Sequence, residues 1–167
     1  MKYRKLHLFL LTCLLLLGCE GEGLNPNEVT EPGFGGTMTF TGTIPFDSLY
    51  DLRVIAVPYY PIDTAFAEIF KKIFIEGVIS FSNENFSNQT RQNGVINYLM
   101  FVKPQTYKYV AVVQQYGDNE FHDWRVVSVF GFSQTNPTHL PVIVEEDKIT
   151  KNVNFIIDFH NLPPQPF

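Results

Sequence analysis

The sequence predicts an all-β protein: a single antiparallel sandwich of seven or eight strands, with one short amphipathic helix near residues 64–75. Three observations lead to this prediction. Apolar residues recur with a period of two, the runs in which they do so are rich in β-branched and aromatic residues, and Pro, Gly, Asn or Asp separates one run from the next. Short strands bounded by turn residues are typical of antiparallel sandwiches.

The alternation begins at Gly36–Thr43 and is clearest in the last run, Asn152–His160. We expect the apolar face of that last strand to lie in one core with Phe40 and Val54, because alternate side chains of a strand point to the same face. The residues of this face are Val153, Phe155, Ile157 and Phe159. The strands predicted between the two runs are Leu52–Tyr59, Val78–Phe81, Val95–Val102, Thr106–Tyr116, Trp124–Ser133 and Pro141–Glu145.

Residues 64–75 depart from this period. Apolar residues recur there at spacings of three and four, which predicts a helix of about three turns with one apolar face. Asp63 or Thr64 would cap its start, and Gly77 would follow its end. We expect the helix to cover one open end of the sandwich; the alternative is a ligand groove along its Phe-rich face. That face comprises Phe66, Ile69, Phe70, Ile73 and Phe74.

The N-terminal residues predict export and a lipid anchor. A basic start, Met1–Lys5, precedes the apolar stretch Leu8–Leu17, which at about ten residues is shorter than the roughly 20 needed to span a bilayer. The tetrapeptide that ends at Cys19, Leu-Leu-Gly-Cys, resembles the lipobox of bacterial lipoproteins. The resemblance implies that residues 1–18 are a signal peptide and that Cys19 carries the lipid. Glu20 after the cysteine resembles signals that release lipoproteins to the outer membrane, and Glu20–Glu22 resembles surface-export tethers. We therefore expect an anchor in the bacterial cell envelope, at the periplasmic or surface face of the outer membrane.

The rest of the chain is predicted to divide into a tether, a body and a tail. Residues 19–33 are dense in Gly, Pro and Glu, which is typical of a solvated, flexible linker. Residues 34–161 contain every predicted strand and have the common size of one domain with its own core. Residues 162–167 are rich in proline, which cannot join a central strand, and are predicted to form a short extended tail.

Charge and cysteine content argue against several classes of function. The chain has 12 Lys and Arg and 17 Asp and Glu, and removal of residues 1–18 would take away three basic residues, leaving nine and a formal charge of −8. So acidic a balance argues against binding to nucleic acid or, through charge, to anionic lipid head groups. Cys19 would be the only cysteine of the mature chain, which leaves no partner for an internal disulfide.

Within the predicted body, three stretches resemble the prealbumin-like sandwich, also known as the transthyretin-like or carboxypeptidase regulatory-like domain. They are Gly36–Thr43, Asp51–Val57 and Lys103–Val113. In this family a Pro-Gly-x-Tyr turn often opens a strand, and here Pro104–Tyr107 has Gln in place of Gly. The closing Val153–Phe159 is also similar to lipoproteins of this kind. The resemblance implies a sandwich that serves as an accessory or adhesion module.

The sequence contains no recognisable catalytic or metal-binding pattern. His122 with Asp118 and Asp123 is the best local cluster, and a metal-dependent hydrolase would require these side chains to converge. Their spacing lacks the glycine-turned pattern of a calcium loop, so we interpret them as a solvated hairpin loop. The acidic run Glu145–Asp147 follows a strand and is interpreted as a turn. With no Gly-x-Ser-x-Gly motif and no glycine-rich loop before a helix, we expect no enzymatic activity, no cofactor and no bound metal.

Aromatic residues near strand ends leave a binding role open. Tyr116, Phe121 and Trp124 could stack on a sugar or contact an envelope protein. Ser48 and Thr64 lie in Asp-Ser/Thr-aliphatic triplets, which resemble a bacterial O-glycosylation motif. The sequence therefore predicts a non-catalytic accessory or structural lipoprotein, with a glycan- or protein-binding module that uses the loop aromatics as the alternative.

Overall fold

The structure, a computed structural model, describes residues 30–62, 66–90 and 94–166, and the predicted all-β sandwich class is confirmed. The described residues include two helices, α1 (Phe66–Phe74) and α2 (Ser87–Thr90), and a 3₁₀ turn at Phe46–Ser48. They also include ten strands: β1 Gly33–Thr41, β2 Asp51–Val57, β3 Ser80–Phe81, β4 Val95–Phe101, β5 Gln105–Tyr107, β6 Tyr109–Gln115, β7 Trp124–Val129, β8 Val142–Val144, β9 Ile149–Thr150 and β10 Phe155–Asp158.

Two four-stranded sheets form the layers of the sandwich. The first sheet has the order β10-β1-β4, with β9 also beside β1, and the second has the order β3-β2-β6-β7; β5 and β8 form a separate two-stranded sheet. β1 pairs antiparallel with β4 but parallel with both β9 and β10. The other strand pairs are antiparallel, as predicted, and the two pairings of β1 with β9 and β10 are the parallel exceptions. Alternation shows which face of a sheet a residue occupies, but not which strand lies beside it.

The main core lies between the two sheets. Val54 is buried in it and Phe40 packs against it from a partly buried position, as predicted. The hydroxyl of Tyr98 donates a hydrogen bond to the carbonyl of Val153 at 2.6 Å, and burial raises the pKa of this tyrosine above its usual range. The predicted apolar face of the last strand is confirmed as buried: Val153, Phe155, Ile157 and Phe159.

The predicted set of strands differs from the structure at two places. Thr106–Tyr116 was expected to be one strand, but the structure breaks it at Lys108, so that β5 pairs with β8 while β6 joins the second sheet. β9 is an additional strand, and its two residues are too few to show any period. The other predicted strands are present with shifted or shortened ends.

Helix α1 confirms the helix predicted near residues 64–75, but the helix covers a different part of the sandwich from the one expected. Ile69 is buried and Ile73 is partly buried in a second core cluster, which lies on the outer face of the second sheet. The helix therefore covers a sheet face and not an open end of the sandwich. Phe74 was expected on the packed face but is 67 % exposed. The side chains of Phe66 and Phe70, and the capping residues Asp63 and Thr64, lie outside the described part of the chain.

The last described residues pack against the body. Leu162 contacts the main core, and the side chain of Gln165 bonds to the backbone of Val126 in β7. Its Oε1 accepts the Val126 N–H at 2.7 Å, and its Nε2 donates to the Val126 carbonyl at 3.1 Å. Because β7 is an edge strand, this amide takes the place of a neighbouring strand's backbone. The hydroxyl of Ser128 also donates to the carbonyl of Ile156 at 2.8 Å, which joins β7 to β10.

Candidate functional site

The outer face of the second sheet carries a row of polar and aromatic side chains that the strand register aligns. Asp51 pairs with Gln115, and Gln115 pairs with Trp124, so these three residues lie side by side across β2, β6 and β7. Arg53 occupies the next row, beside two valines. Both charged residues of β2 point outward because they alternate with residues of the main core.

Helix α1 covers only part of this face. The helix ends at Phe74, and Gly77 then adopts a left-handed conformation (φ +61°) that turns the chain toward the buried Ile79. The uncovered part forms a groove of about 620 Å³, which we call the outer groove. Its floor is the row of Asp51, Gln115 and Trp124 together with Arg53, and its walls come from the end of α1, from β3, from the end of β4 and from the loop before β7.

Three hydrogen bonds hold Arg53 in place on the floor of the outer groove. Its Nε donates to Asp51 Oδ2 at 2.7 Å, and its Nη1 donates to the carbonyls of Ser82 and Asn83 at 2.8 and 3.0 Å. The guanidinium carbon lies 5.2 Å from the ring centroid of Phe81, a cation–π contact. Nη2 makes no hydrogen bond to any of the described residues, which leaves two N–H donors for another molecule.

Phe81 is the centre of an aromatic cluster that lines the outer groove. The ring of Trp124 approaches it edge to face with centroids 5.6 Å apart, and Phe74 approaches it at 6.2 Å. Trp124 Nε1 donates to the carbonyl of Glu120 at 2.7 Å, which fixes the plane of the indole. Trp124 and Phe81 are each only partly buried, so apolar ring surface remains available to a ligand.

Hydrogen-bond donors and acceptors lie beside these rings. Of the described residues that line the outer groove, Asp51 and Glu120 are acidic and Arg53 is basic. The second carboxylate oxygen of Asp51, Oδ1, is buried and has no hydrogen-bond partner among the described residues. Gln115 donates through Nε2 to the carbonyl of Gly117 at 2.9 Å. A few polar groups converging beside apolar surface are typical of small-molecule sites.

The three predicted aromatic residues lie around one loop but face different surfaces. Trp124 lies in the outer groove. Tyr116 is 41 % exposed and its ring lies 5.4 Å from the guanidinium of Arg125, which points to the opposite face of β7 from Trp124. Tyr116 lines a second groove of about 570 Å³ beside the C-terminal residues, which one side of Trp124 also reaches. Phe121 is 64 % exposed, and its N–H donates to the side chain of Asn119 at the tip of the loop.

The acidic residues singled out in the sequence belong to turns. The carboxylate of Asp123 accepts the N–H of Asn119 at 3.0 Å, and a Cβ at Gly117 would lie only 2.2 Å from that carboxylate. Within the described ranges, no group of three or more His, Cys, Asp or Glu side chains is placed to hold a metal ion. Glu145–Asp147 forms the predicted turn between β8 and β9, where Asp147 has a φ of 56° and Lys148 pairs with the first glutamate.

The predicted modification sites are only partly described. Cys19 and Thr64 lie outside the described residues. Ser48 ends the 3₁₀ turn in a half-buried position, and its hydroxyl donates to the carbonyl of Pro45 at 3.4 Å. Residues 30–62, 66–90 and 94–166 contain no helix with the length and apolar character needed to cross a membrane.

No protein-family model, curated protein or solved structure matches this chain. The similarities to bacterial lipoproteins and to prealbumin-like sandwiches therefore stay predictions. Of the residues of the outer groove, the sequence pointed to Trp124 but not to Asp51, Arg53 or Phe81. The available signal was the pair of charged residues at alternate positions of the otherwise apolar β2.

Proposed function

We propose that the protein is a non-catalytic accessory or structural lipoprotein of the bacterial cell envelope, held in the outer membrane through a lipid on Cys19. The observation that carries the proposal is the Leu-Leu-Gly-Cys tetrapeptide behind a basic and then apolar N-terminal segment. The resemblance implies cleavage before Cys19 and acylation of this residue. Each buried CH₂ of an acyl chain is worth about 0.8 kcal/mol, so two or three chains make a stable anchor.

The position of the first strand supports this arrangement. β1 begins at Gly33, the last residue of the predicted tether, and lies between β4 on one side and β9 and β10 on the other. Its first residue is held further by a hydrogen bond from the Gly33 N–H to the carbonyl of Lys148 at 3.1 Å. A chain that leaves the membrane through residues 19–32 would thus enter the body at an interior strand of the first sheet.

Lipidation is tested by intact-mass analysis of the full chain after extraction from bacterial membranes. The expected product lacks residues 1–18 and carries acyl chains on Cys19. The Cys19→Ser variant should keep an unacylated mass, and the Cys13→Ser variant, which changes the cysteine inside the signal peptide, should be processed like the unchanged protein. A mature N-terminus at another residue, or an unmodified Cys19, would end the proposal.

A glycan- or protein-binding module is a second candidate, and the outer groove specifically favours it. The groove holds an arginine with unused donors next to partly exposed aromatic rings, on a face that α1 leaves uncovered. A purely structural sandwich requires no such face. A ligand that the unchanged protein binds and the Trp124→Ala variant does not would favour the module over the structural role.

A further inference from the structure

The outer groove combines flat apolar surface with hydrogen-bonding groups of both kinds, and we propose that it binds an uncharged pyranose unit of a neutral oligosaccharide or polysaccharide. This inference rests on the second proposed function, the binding module, and names its ligand class. It does not depend on the lipid anchor, because every residue that it uses lies in the body.

The aromatic surface of the outer groove fits the C–H face of a pyranose. Trp124 and Phe81 present partly exposed rings, and the hydrogen bond from Trp124 Nε1 to the Glu120 carbonyl holds the indole in place before a ligand arrives. The two rings meet at 73°, so a sugar would stack on one of them, the indole of Trp124, with Phe81 beside it. The indole loses little conformational freedom on binding, which lowers the entropic cost of association. Desolvation of the apolar ring faces provides the driving force.

The polar side chains of the outer groove match sugar hydroxyls, which both donate and accept hydrogen bonds. Arg53 offers the two N–H donors of Nη2, while Glu120 offers a carboxylate, and the amides of Gln115 and Asn83 contain both a donor and an acceptor. A purely aliphatic ligand would leave these groups desolvated and unpaired, at about 1–3 kcal/mol for each buried group. The polar groups therefore select against such a ligand.

The charged side chains of the outer groove favour neutral over anionic sugars. The only basic side chain among the described residues of the outer groove is Arg53, whose charge is already paired with Asp51 at 2.7 Å. Glu120 adds a negative charge that forms no ion pair with any described residue. The chain as a whole has a formal charge of −5. Uronates, sulfated sugars and phosphorylated head groups would meet this negative field, so an uncharged sugar is the favoured ligand.

Tryptophan fluorescence can report on binding at this site, because Trp124 is the only tryptophan of the chain. Full-length protein is extracted in a detergent without a sugar head group and titrated with neutral gluco-, manno- and galacto-oligosaccharides, and with a polyuronate, while the Trp124 emission is recorded. We expect a saturable change with at least one neutral series, at a dissociation constant of about 1 mM or below. The polyuronate should produce none.

Three variants locate the binding. Arg53→Gln removes the free donors, and Glu120→Gln removes the exposed carboxylate without touching the packed part of the floor; each should weaken binding about tenfold or more. Arg125→Gln changes an arginine on the opposite face of β7, in the second groove, and should bind like the unchanged protein. Thermal unfolding of each variant verifies that it folds. If Arg53→Gln does not fold, the sugar affinity of Glu120→Gln tests the proposal.

The outcomes separate the ligand class from the function. A Trp124 response to the polyuronate alone would overturn the neutral sugar but leave a binding module. No response to any sugar would overturn the inference and remove the main support for a glycan-binding module, while the lipidation of Cys19 would be unaffected. A response that Arg53→Gln and Glu120→Gln both preserve, or that only Arg125→Gln weakens, would place the sugar outside the outer groove and also overturn the inference.

Discussion

Replacing Gln165 by Leu is expected to destabilise the fold, although this residue lies close to the C-terminus and outside the strands. The side chain makes two hydrogen bonds to the backbone of Val126, at 2.7 and 3.1 Å, on the edge of β7. Its Nε2 also donates to the carbonyl of Pro163 at 2.9 Å, so the substitution removes three hydrogen bonds. A typical intramolecular hydrogen bond contributes about 0.5–1.5 kcal/mol net, so their loss should lower the free energy of unfolding by about 1.5–4.5 kcal/mol. For a domain of this size the melting temperature should fall by about 5–18 °C.

The assay is thermal and urea unfolding of the full chain followed by circular dichroism, with Gln105→Leu as the matched control. Gln105 is an exposed glutamine of β5 whose side chain has no hydrogen bond to any described residue. Concentration dependence is measured as well, because an uncapped strand edge favours edge-to-edge association. Equal melting temperatures for Gln165→Leu and the control would refute the capping role.

Gln165→Glu tests the donor half of the same contact. A carboxylate accepts the Val126 N–H but cannot donate to the carbonyl of that residue, whereas a protonated carboxyl group can. Folding should therefore raise the pKa of this glutamate above its ordinary value of about 4.3. Its stabilisation is fully present below the unfolded-state pKa and is lost as the pH rises through the folded-state pKa. The variant should approach the unchanged protein near pH 3–4 and fall below it at pH 7.

Three further predictions concern the first sheet. Phe155→Ala should lower the free energy of unfolding by about 3–5 kcal/mol, because the ring is 1 % exposed and lies 5.7 Å from that of Tyr98; a loss below about 1 kcal/mol in urea unfolding would contradict this packing. Tyr98→Phe should lower it by about 1–3 kcal/mol, because the buried carbonyl of Val153 loses its hydroxyl donor, and unchanged stability would show that water replaces it. The carboxylate of Asp158 accepts hydrogen bonds from the side chain of Asn161 and from the backbone N–H of His160, which lowers its pKa below the ordinary 3.8. Its stabilisation is therefore present above that value and lost as the pH falls through the folded-state pKa, so Asp158→Asn should flatten the decline of the melting temperature below about pH 4.

Local alternation was sufficient to predict which residues are buried, but not how the strands are arranged. The face from Val153 to Phe159 is buried as expected, since a period of two reports directly on the two faces of a strand. The parallel pairing of β10 with β1 joins residues more than 100 positions apart, and no local pattern records it. The break at Lys108 was missed because β5 and β6 are both rich in strand-forming residues, and only their different partners separate them.

The candidate site was less predictable than the core because it exists only across strands. Asp51, Gln115 and Trp124 are far apart in sequence and become neighbours through the register of β2, β6 and β7. The groove also depends on where α1 ends, which determines how much of the outer face remains uncovered. The sequence drew attention to Trp124 by its residue type, whereas Arg53 acquires its two free donors only from the way Asp51, Ser82 and Asn83 hold it.

The placement of β1 also has a mechanical consequence. A protein tethered by its N-terminus would receive any tension from the membrane at Gly33, the first residue of that strand. β4 lies along one edge of β1, and β9 and β10 lie along the other, so a pull parallel to the strand would load both ladders in shear. Many backbone hydrogen bonds would then have to yield together, whereas an outermost hairpin would peel open one bond at a time. A sandwich attached through β1 would therefore resist the removal of its first strand when the membrane anchor is pulled.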